Sequence, residues 1–253
     1  MNTAASNSGP GPEGIREELE VTFFIPCLNE ERHVTATLET TAAAAAEFPW
    51  TYEVIVVDDG STDRTAEVVE EYCRAHPALA VRLVRNPMNL GLARSFVDAA
   101  FLGRGRFYRL ICGDNIEPRE SMVAILKRKG EADLVMPYYP EIPGKSAVGR
   151  TLSKVYNGLV NALSGHRIRY YNGNPLYRRR HVMRWAPHNS GFGYQADLVT
   201  QLLDLGCTYV EVPVAGMHRP KGGHRLRLRS LFSVSHSLLE IAFRRLRAIL
   251  FGQ

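Results

Sequence analysis

The sequence is short of everything that would make it a secreted scaffold, a membrane span or a zinc module. Its 253 residues hold four cysteines, Cys27, Cys73, Cys112 and Cys207, scattered along the chain without a Cys-x-x-Cys pair. That spacing argues against a disulfide framework and against a cysteine-built zinc site, and it fits a reducing compartment. No apolar run reaches the ~18 residues of a spanning helix. The N-terminus lacks a charged-then-apolar leader. The expected location is cytoplasmic, with peripheral contact to a membrane left open. No solenoid period is present, and no nucleic-acid module or aromatic stacking platform is visible. Acid is missing from a whole segment: residues 142–196 carry nine Lys/Arg and no Asp/Glu. Residues 218–253 carry eight Lys/Arg and one acid, whereas the first 141 residues carry 22 acids against 14 bases. The net charge of +5 conceals this split. An acidic half suits a metal–nucleotide, and basic segments suit phosphate, an anionic acceptor or a membrane surface. A solvated basic face would leave the same pattern.

What remains is the composition of an ordinary globular protein, 45% hydrophobic and 23% charged, enough for one large domain or a domain with a subdomain. Residues 1–18 are rich in Ser, Gly, Pro and Asn and read as a disordered tail. Short β-rich apolar runs follow at Val21–Pro26, Tyr52–Val57, Val81–Arg85, Phe107–Cys112 and Asp133–Met136. Between them lie helical segments. Asn29 is the expected cap of the first, with Glu30 and Glu31 in its first turn, Asp63 the expected cap of the second, and Pro118 opens the fourth. Strands alternating with helices predict an α/β fold, a mostly parallel twisted sheet with helices on both faces. Beyond Pro143 the pattern changes. Ala147–Leu163 has a helical apolar face of Val148, Leu152, Val155, Leu159 and Leu163, Arg169–Tyr177 reads as extended, Tyr194–Leu205 as helix and Tyr209–Val214 as strand. Leu231–Phe251 is an amphipathic helix with Arg244, Arg245 and Arg247 near its end. It either lies on a membrane through Leu231, Val234, Leu238, Ile241 and Phe251 or packs on the domain. The expected division is a tail over 1–18, a domain over 19–228 and this helix over 229–253.

The chemistry concentrates at strand ends. Val54–Val57 reads as a buried parallel strand that stops at Asp58-Asp59-Gly60-Ser61. In open α/β sheets ligands bind at that carboxyl edge. Two acids there suit a nucleotide base or ribose, and suit a phosphate only through a metal. The pattern therefore points to a nucleotide-sugar enzyme rather than a glycine-loop phosphate binder.

Here the chain resembles the family 2 glycosyltransferases of GT-A (nucleotide-diphospho-sugar transferase) fold, and within them the dolichol-phosphate mannose synthase and polyprenyl-phosphate glycosyltransferase group. Pro26-Cys-Leu-Asn-Glu30 matches that family's Pro-x-x-Asn-Glu segment, and Val57-Asp-Asp-Gly-Ser-Thr-Asp63 its Asp-Asp-Gly-Ser signature. Asn89-Leu-Gly91 matches an Asn-x-Gly step, and Glu211-Val-Pro213 a late strand. His218 to Arg225 resembles an Arg-x-x-Gly-x-Ser-Lys loop, keeping Arg219 and replacing the Lys by Arg225. The resemblance implies that Pro26, Leu28 and Glu30 surround base and ribose and that Asp58 or Asp59 accepts from the base edge. It implies that Asn89 and Gly91 border the donor, and that Arg219, Lys221 and Arg225 face the diphosphate.

Two departures stand out. The family's Asp-x-Asp places its second acid four residues ahead of a proline. Asp114 with Pro118 keeps that position, and Cys112 replaces the first acid. A thiol is a poor ligand for Mg²⁺ or Mn²⁺. The expected metal ligand is thus Asp114, helped by Glu117 or Asn115, unless the basic loop alone neutralises the diphosphate. The family's Asp-x-x-x-Gly-Phe is here Arg169-Tyr-Tyr-Asn-Gly-Asn174. Tyr194-Gln-Ala-Asp197 resembles the segment that supplies a general base, with Asp197 in the acidic position. A hydroxyl acceptor needs such a base. A phosphate monoester does not, being largely dianionic at pH 7, and needs cations instead; Arg150, Lys154, Arg167, Arg169, Arg178 and Arg179 are available. The resemblance implies inverting transfer from a nucleotide-diphosphate sugar to a polyprenyl or dolichyl phosphate or a similar membrane-associated acceptor. The alternatives are a soluble family 2 enzyme acting on a small-molecule hydroxyl, with Asp197 as base, and a degenerate, non-catalytic nucleotide-sugar-binding protein.

Overall fold

The computed structural model describes residues 19–141, 146–186, 193–216 and 228–251. The N-terminal tail of the sequence reading lies outside them. Seven strands form one sheet: β1 Val21–Cys27, β2 Tyr52–Asp58, β3 Val81–Arg85, β4 Phe107–Leu110, β5 Leu134–Tyr138, β6 Leu176–Arg178 and β7 Tyr209–Pro213. Among the described residues eight helices accompany them: α1 Val34–Ala45, α2 Thr65–Ala75, α3 Leu92–Leu102, α4 Arg119–Lys127, α5 Ala147–Ser164, α6 Arg179–Val182, α7 Tyr194–Asp204 and α8 Leu228–Phe251.

The sheet order is β3-β2-β1-β4-β6-β5-β7. β1 is parallel to β2 and β4, β2 to β3, and β5 to β7. Among the described strands only β6 runs antiparallel, between β4 and β5. The central strands β1 and β2 are buried on both sides, as a doubly covered parallel sheet requires. Phe23, Ile25, Val54 and Val56 pack with α1, α2 and α4, and the alternating Phe24, Ile55 and Val57 pack with α3 and α7. Cys27 is level with Asp58, and Phe24 with Leu110. Three neighbouring strands therefore deliver their following loops to one edge.

Four local expectations change. Asn29 does not cap α1, which begins at Val34. Asn29 instead takes φ 60°, a left-handed conformation that asparagine tolerates. β4 stops at Leu110, so Cys112 lies in the loop. On α5 the apolar face faces outward: Val148, Leu152, Val155 and Leu159 are exposed, while Val160 enters the core with Tyr156 and Leu163 alongside. On α8, Ile241 is buried and Leu238 packs on the core, so that helix docks on the domain through part of the face assigned to a membrane. Phe251 is exposed, and the side chains of Leu231 and Val234 lie outside the described residues.

Candidate functional site at the carboxyl edge of the sheet

The loops after β1 and β2 are stitched together by their polar side chains. Asn29 N donates to Ser61 Oγ at 2.9 Å, and Asn29 Oδ1 accepts from Thr62 N at 2.8 Å. Glu30 N donates to Thr65 Oγ1 at 2.8 Å and Glu31 N to Asp63 Oδ2 at 3.2 Å. The cap position of α2 is Arg64 rather than the expected Asp63, but Asp63 Oδ1, one residue earlier, accepts from Thr65 N at 3.0 Å at the helix start. The asparagine of the Pro-x-x-Asn-Glu segment thus ties loop to loop.

The two adjacent aspartates divide their work. Asp59 is consumed by the segment that follows β3. Its Oδ1 accepts from Asn86 Nδ2 at 2.7 Å, Leu90 N at 3.0 Å and Ser95 Oγ at 3.3 Å, and its Oδ2 accepts from Gly91 N at 3.0 Å. Asp58 is equally buried, and its Oδ1 accepts from Ser61 N at 3.0 Å. Gly60 makes this close assembly possible. It sits at φ +78°, and a Cβ there would lie 2.7 Å from the Met88 carbonyl carbon and 2.8 Å from Asn89 N. Asn89 is exposed on the rim beside it, and Gly91, at φ 89°, flanks the start of α3. Leu28 is 44% exposed at the mouth of the same edge.

The loop after β4 packs directly on the first strand. A Cβ on Gly113 would meet Pro26 O at 2.8 Å and Cys27 Sγ at 2.9 Å. The Gly113 carbonyl accepts from Thr37 Oγ1 at 2.8 Å. Asp114 and Asn115 each keep a buried side-chain oxygen, Oδ1, without a hydrogen-bond partner. A buried acceptor left unmatched costs ~1–3 kcal/mol. Burial raises the Glu30 carboxyl above its usual range, with Asp114 and Asp63 adding to the effect and His33 opposing it. Burial likewise pushes the Cys27 thiol up, reinforced by Glu30, Asp58, Asp63 and Asp114. Two unmatched hard oxygens among acids that repel one another are a donor set that fits Mg²⁺ or Mn²⁺. Glu117, expected to help, is committed elsewhere: it is fully buried in an ion pair with Arg109 of β4 that braces the foot of this loop.

The residues that depart from the family pattern touch one another. Asn174, at φ 47°, donates through Nδ2 to Cys112 Sγ at 3.4 Å and accepts from Gln195 Nε2 at 2.7 Å. The first Asp of Asp-x-Asp and the aromatic after Gly173 have thus been exchanged for a contacting Cys–Asn pair, continued by Gln195. Asp197, one helical turn into α7, is buried with both oxygens engaged. Trp185 Nε1 donates to Oδ2 at 3.2 Å, and Arg244 of α8 donates to Oδ1 at 2.8 Å.

Two of the arginines proposed for an acceptor phosphate are elsewhere. Arg179 donates to Gly105 O at 2.6 Å and Ala100 O at 3.0 Å. Arg178 pairs with Asp133 at 2.9 Å. Both lie at the amino edge of the parallel strands and serve the fold. Arg169 does lie near the carboxyl edge, over the Tyr138 ring at 4.6 Å. Arg219, Lys221 and Arg225 lie outside the described residues. A cluster that the sequence reading missed, Asp133, His181 and Cys207, brings three possible metal-ligand atoms within 4.8 Å of one another. It sits at the amino edge, away from Asp114. Asp133 is already held there by Arg178 and by Thr208, whose N and Oγ1 donate at 3.0 and 2.9 Å. No spacing rule marks it, because its members meet only through β5, α6 and the start of β7.

The glycosyl transferase family 2 model matches residues 22–184. A dolichyl-phosphate beta-glucosyltransferase of Trichomonas vaginalis is 26% identical over 251 residues, covering 89% of this chain and 71% of that protein. A dodecaprenyl-phosphate galacturonate synthase of Rhizobium johnstonii is 30% identical over 158 residues, and this chain spans 46% of its length. The solved glucosyl-3-phosphoglycerate synthase of Mycobacterium tuberculosis, in complex with Mn²⁺, uridine diphosphate and phosphoglyceric acid, superposes with a TM-score of 0.66. It does so at 18% identity, over 90% of this chain and 78% of that one. The shared architecture is the GT-A fold. The matched region runs from β1 through α6 and takes in both stitched loops, Asp114 and the Cys112–Asn174 contact; the chain belongs to glycosyl transferase family 2.

Proposed function

We propose that this glycosyltransferase moves a sugar from a nucleoside-diphosphate sugar to the phosphate of a polyprenyl or dolichyl lipid, with inversion at the anomeric carbon. The observation that carries the reading is the pair of unmatched buried oxygens on Asp114 and Asn115, set at the strand edge that ends in Asp58. A divalent cation held there supplies charge neutralisation to the departing diphosphate. Pro26, Leu28 and Glu30 border base and ribose. Asp58 faces the base edge, since Asp59 is spent on the 86–95 segment. Asn89 and Gly91 form the rim, and the diphosphate is the role assigned to Arg219, Lys221 and Arg225. The acceptor oxygen approaches the anomeric carbon from the opposite side, and holding both substrates in line supplies much of the acceleration.

The acceptor class follows from Asp197. With Trp185 and Arg244 on its two oxygens, it is a poor candidate to take a proton from a hydroxyl. A phosphate monoester has little need of a base. The curated relatives named above act, by name, on dolichyl and dodecaprenyl phosphates, which supports the same choice, and a lipid acceptor brings peripheral membrane contact with it. The second reading, a hydroxyl acceptor, is favoured by the solved relative that holds phosphoglyceric acid.

Calorimetric titration of UDP and GDP, with and without Mg²⁺ or Mn²⁺, tests the donor site on wild type and Asp114→Ala. Metal-dependent binding that disappears in the variant is expected. No binding of either nucleotide overturns the reading. Transfer to polyprenyl phosphate, against transfer to small hydroxyl acceptors, then decides between the two acceptors.

A further inference from the structure

The amino edge of the sheet, opposite Asp114, carries a second group of ligating atoms of a different kind. Three segments build it. At the end of α7, Gly206 N donates to Leu203 O at 3.0 Å and Cys207 N to Leu202 O at 3.0 Å. These are the paired bonds of a Schellman turn, with Gly206 at φ 81°. That turn sets Cys207 just ahead of β7. Asp133 stands just ahead of β5, beside Thr208, whose N and Oγ1 donate to Asp133 Oδ2. Thr208 Oγ1 in turn accepts from Asp133 N at 3.1 Å. The carboxylate is thus fixed by its Oδ2, and its Oδ1 faces α6, where His181 Nε2 lies 3.4 Å away. Cys207 Sγ stands 3.8 Å from Nδ1 and 3.9 Å from Nε2 of the same ring.

We propose that Asp133, His181 and Cys207 bind one Zn²⁺ ion, with water in the fourth position, and so clamp α6, β5 and β7 together at this edge. The donor set is imidazole, thiol and carboxylate, which zinc takes and which Mg²⁺, needing oxygens, does not. The spacing agrees. Zinc bonds of ~2.0–2.3 Å in a tetrahedron put nitrogen and oxygen ~3.3 Å apart and nitrogen and sulfur ~3.6 Å apart. At His181 Nε2 those separations are 3.4 and 3.9 Å. Because Sγ is nearly equidistant from both ring nitrogens, turning the ring brings one of them into line with the ion. The outer shell is in place: ligating carboxylates are themselves hydrogen-bonded, and Thr208 does this for Asp133. Arg178 Nε pairs with the same Oδ1 at 2.9 Å, which a carboxylate oxygen with two lone pairs accommodates. On binding, the Cys207 S–H bond breaks, its proton goes to solvent and an S–Zn bond forms. All three residues are half-buried, so water and the incoming ion can reach them. The proposal is independent of the donor and acceptor readings, because this ion sits at the opposite edge from Asp114 and takes no part in transfer.

The full chain, stripped with chelator, is titrated with Zn²⁺ and with Co²⁺, which reports thiolate ligation through a sulfur-to-cobalt charge-transfer band in the near ultraviolet. One equivalent bound, with that band and with a melting temperature raised by zinc, is expected. Cys207→Ser should lose the band and bind zinc about a hundredfold or more weaker, with an unchanged circular dichroism spectrum. His181→Gln should weaken zinc binding as well, and repeats the test on another element should the first variant lose structure. Cys112→Ser and Asp114→Ala, at the other edge, should keep both the band and the stabilisation by zinc. Wild type that binds no zinc, or binds it without the band, overturns the proposal. So does a band that survives both Cys207→Ser and His181→Gln, or one that vanishes in Cys112→Ser and so belongs to the donor edge. The nucleotide titration with Mg²⁺ or Mn²⁺ is read separately, so failure here leaves the donor-site reading standing.

Discussion

Arg244 of α8 closes on Asp197 of α7 at 2.8 Å, and the same guanidinium donates to Asp204 at 2.8 Å and Thr200 at 2.5 Å. One arginine therefore pins the C-terminal helix to the domain through three side chains of a single helix. Arg244→Ala leaves the buried Asp197 carboxylate with only the Trp185 indole. The expected loss is ~2–3 kcal/mol, below the usual range for a broken buried pair because Arg244 is partly exposed. Urea unfolding measures it. Adding Asp197→Asn to Arg244→Ala should cost less than the sum of the two single losses. An Arg244→Ala protein as stable as wild type would remove the clamp from the account.

At Asp114, removing the carboxylate relieves an unmatched buried oxygen while deleting the expected metal ligand. Asp114→Ala should be no less stable than wild type without metal, yet lose metal-dependent nucleotide binding by about a hundredfold or more. A variant that binds UDP or GDP with wild-type metal dependence would move the cation elsewhere.

Cys112 and Asn174 make the reverse substitution informative. Cys112→Asp restores the family's first acid, beside Asp114 and within reach of the Asn174 amide. Without metal it adds a charge to an acidic site, so its melting temperature should fall. With Mg²⁺ or Mn²⁺ the deficit should close and nucleotide affinity rise, by about tenfold. Thermal melts with and without metal read both effects, and a deficit that metal does not reduce would count against a cation at this loop.

Two glycines with positive φ differ in their surroundings. Gly60 has backbone at 2.7 Å from where a Cβ would stand, whereas Gly130, at φ +89°, has nothing within 4 Å. Gly130→Ala should cost about 1 kcal/mol, the conformational penalty alone. Gly60→Ala should cost clearly more, because the 88–89 backbone has to shift, and it should weaken nucleotide binding as well. Equal losses would mean that the close approach of the two loops does not matter.

Asp133 sets a pH dependence. Burial would raise its pKa, but the Thr208 N–H and hydroxyl and His181 hold it down at about 2, from an ordinary 3.8. A depressed carboxyl stabilises the fold above its unfolded pKa, and that contribution fades as the pH falls toward the folded value. Wild type should exceed Asp133→Asn by ~1–2 kcal/mol at pH 7, and the gap should narrow between pH 4 and 2. Paired urea titrations across that range check it; a gap that stays constant would rule out the charge as its source.

The sequence alone determined the layered α/β architecture and the place of the donor edge. Runs such as Val54–Val57, apolar on both sides and ending in Asp58-Asp59-Gly60, demand a doubly covered parallel sheet, and their local chemistry names the edge where a ligand can sit. The tertiary structure decided what local pattern could not carry. It separated Asp58 from Asp59, because Asp59 meets its partners only through the 86–95 segment. It joined Cys112 to Asn174 across 62 residues and Asp197 to Arg244 across 47. It turned the apolar stripe of α5 outward, where periodicity alone would have placed it in the core. Periodicity reports that a helix has two faces; which face is buried depends on the partner it packs against, and that choice is made only when distant segments of the chain meet.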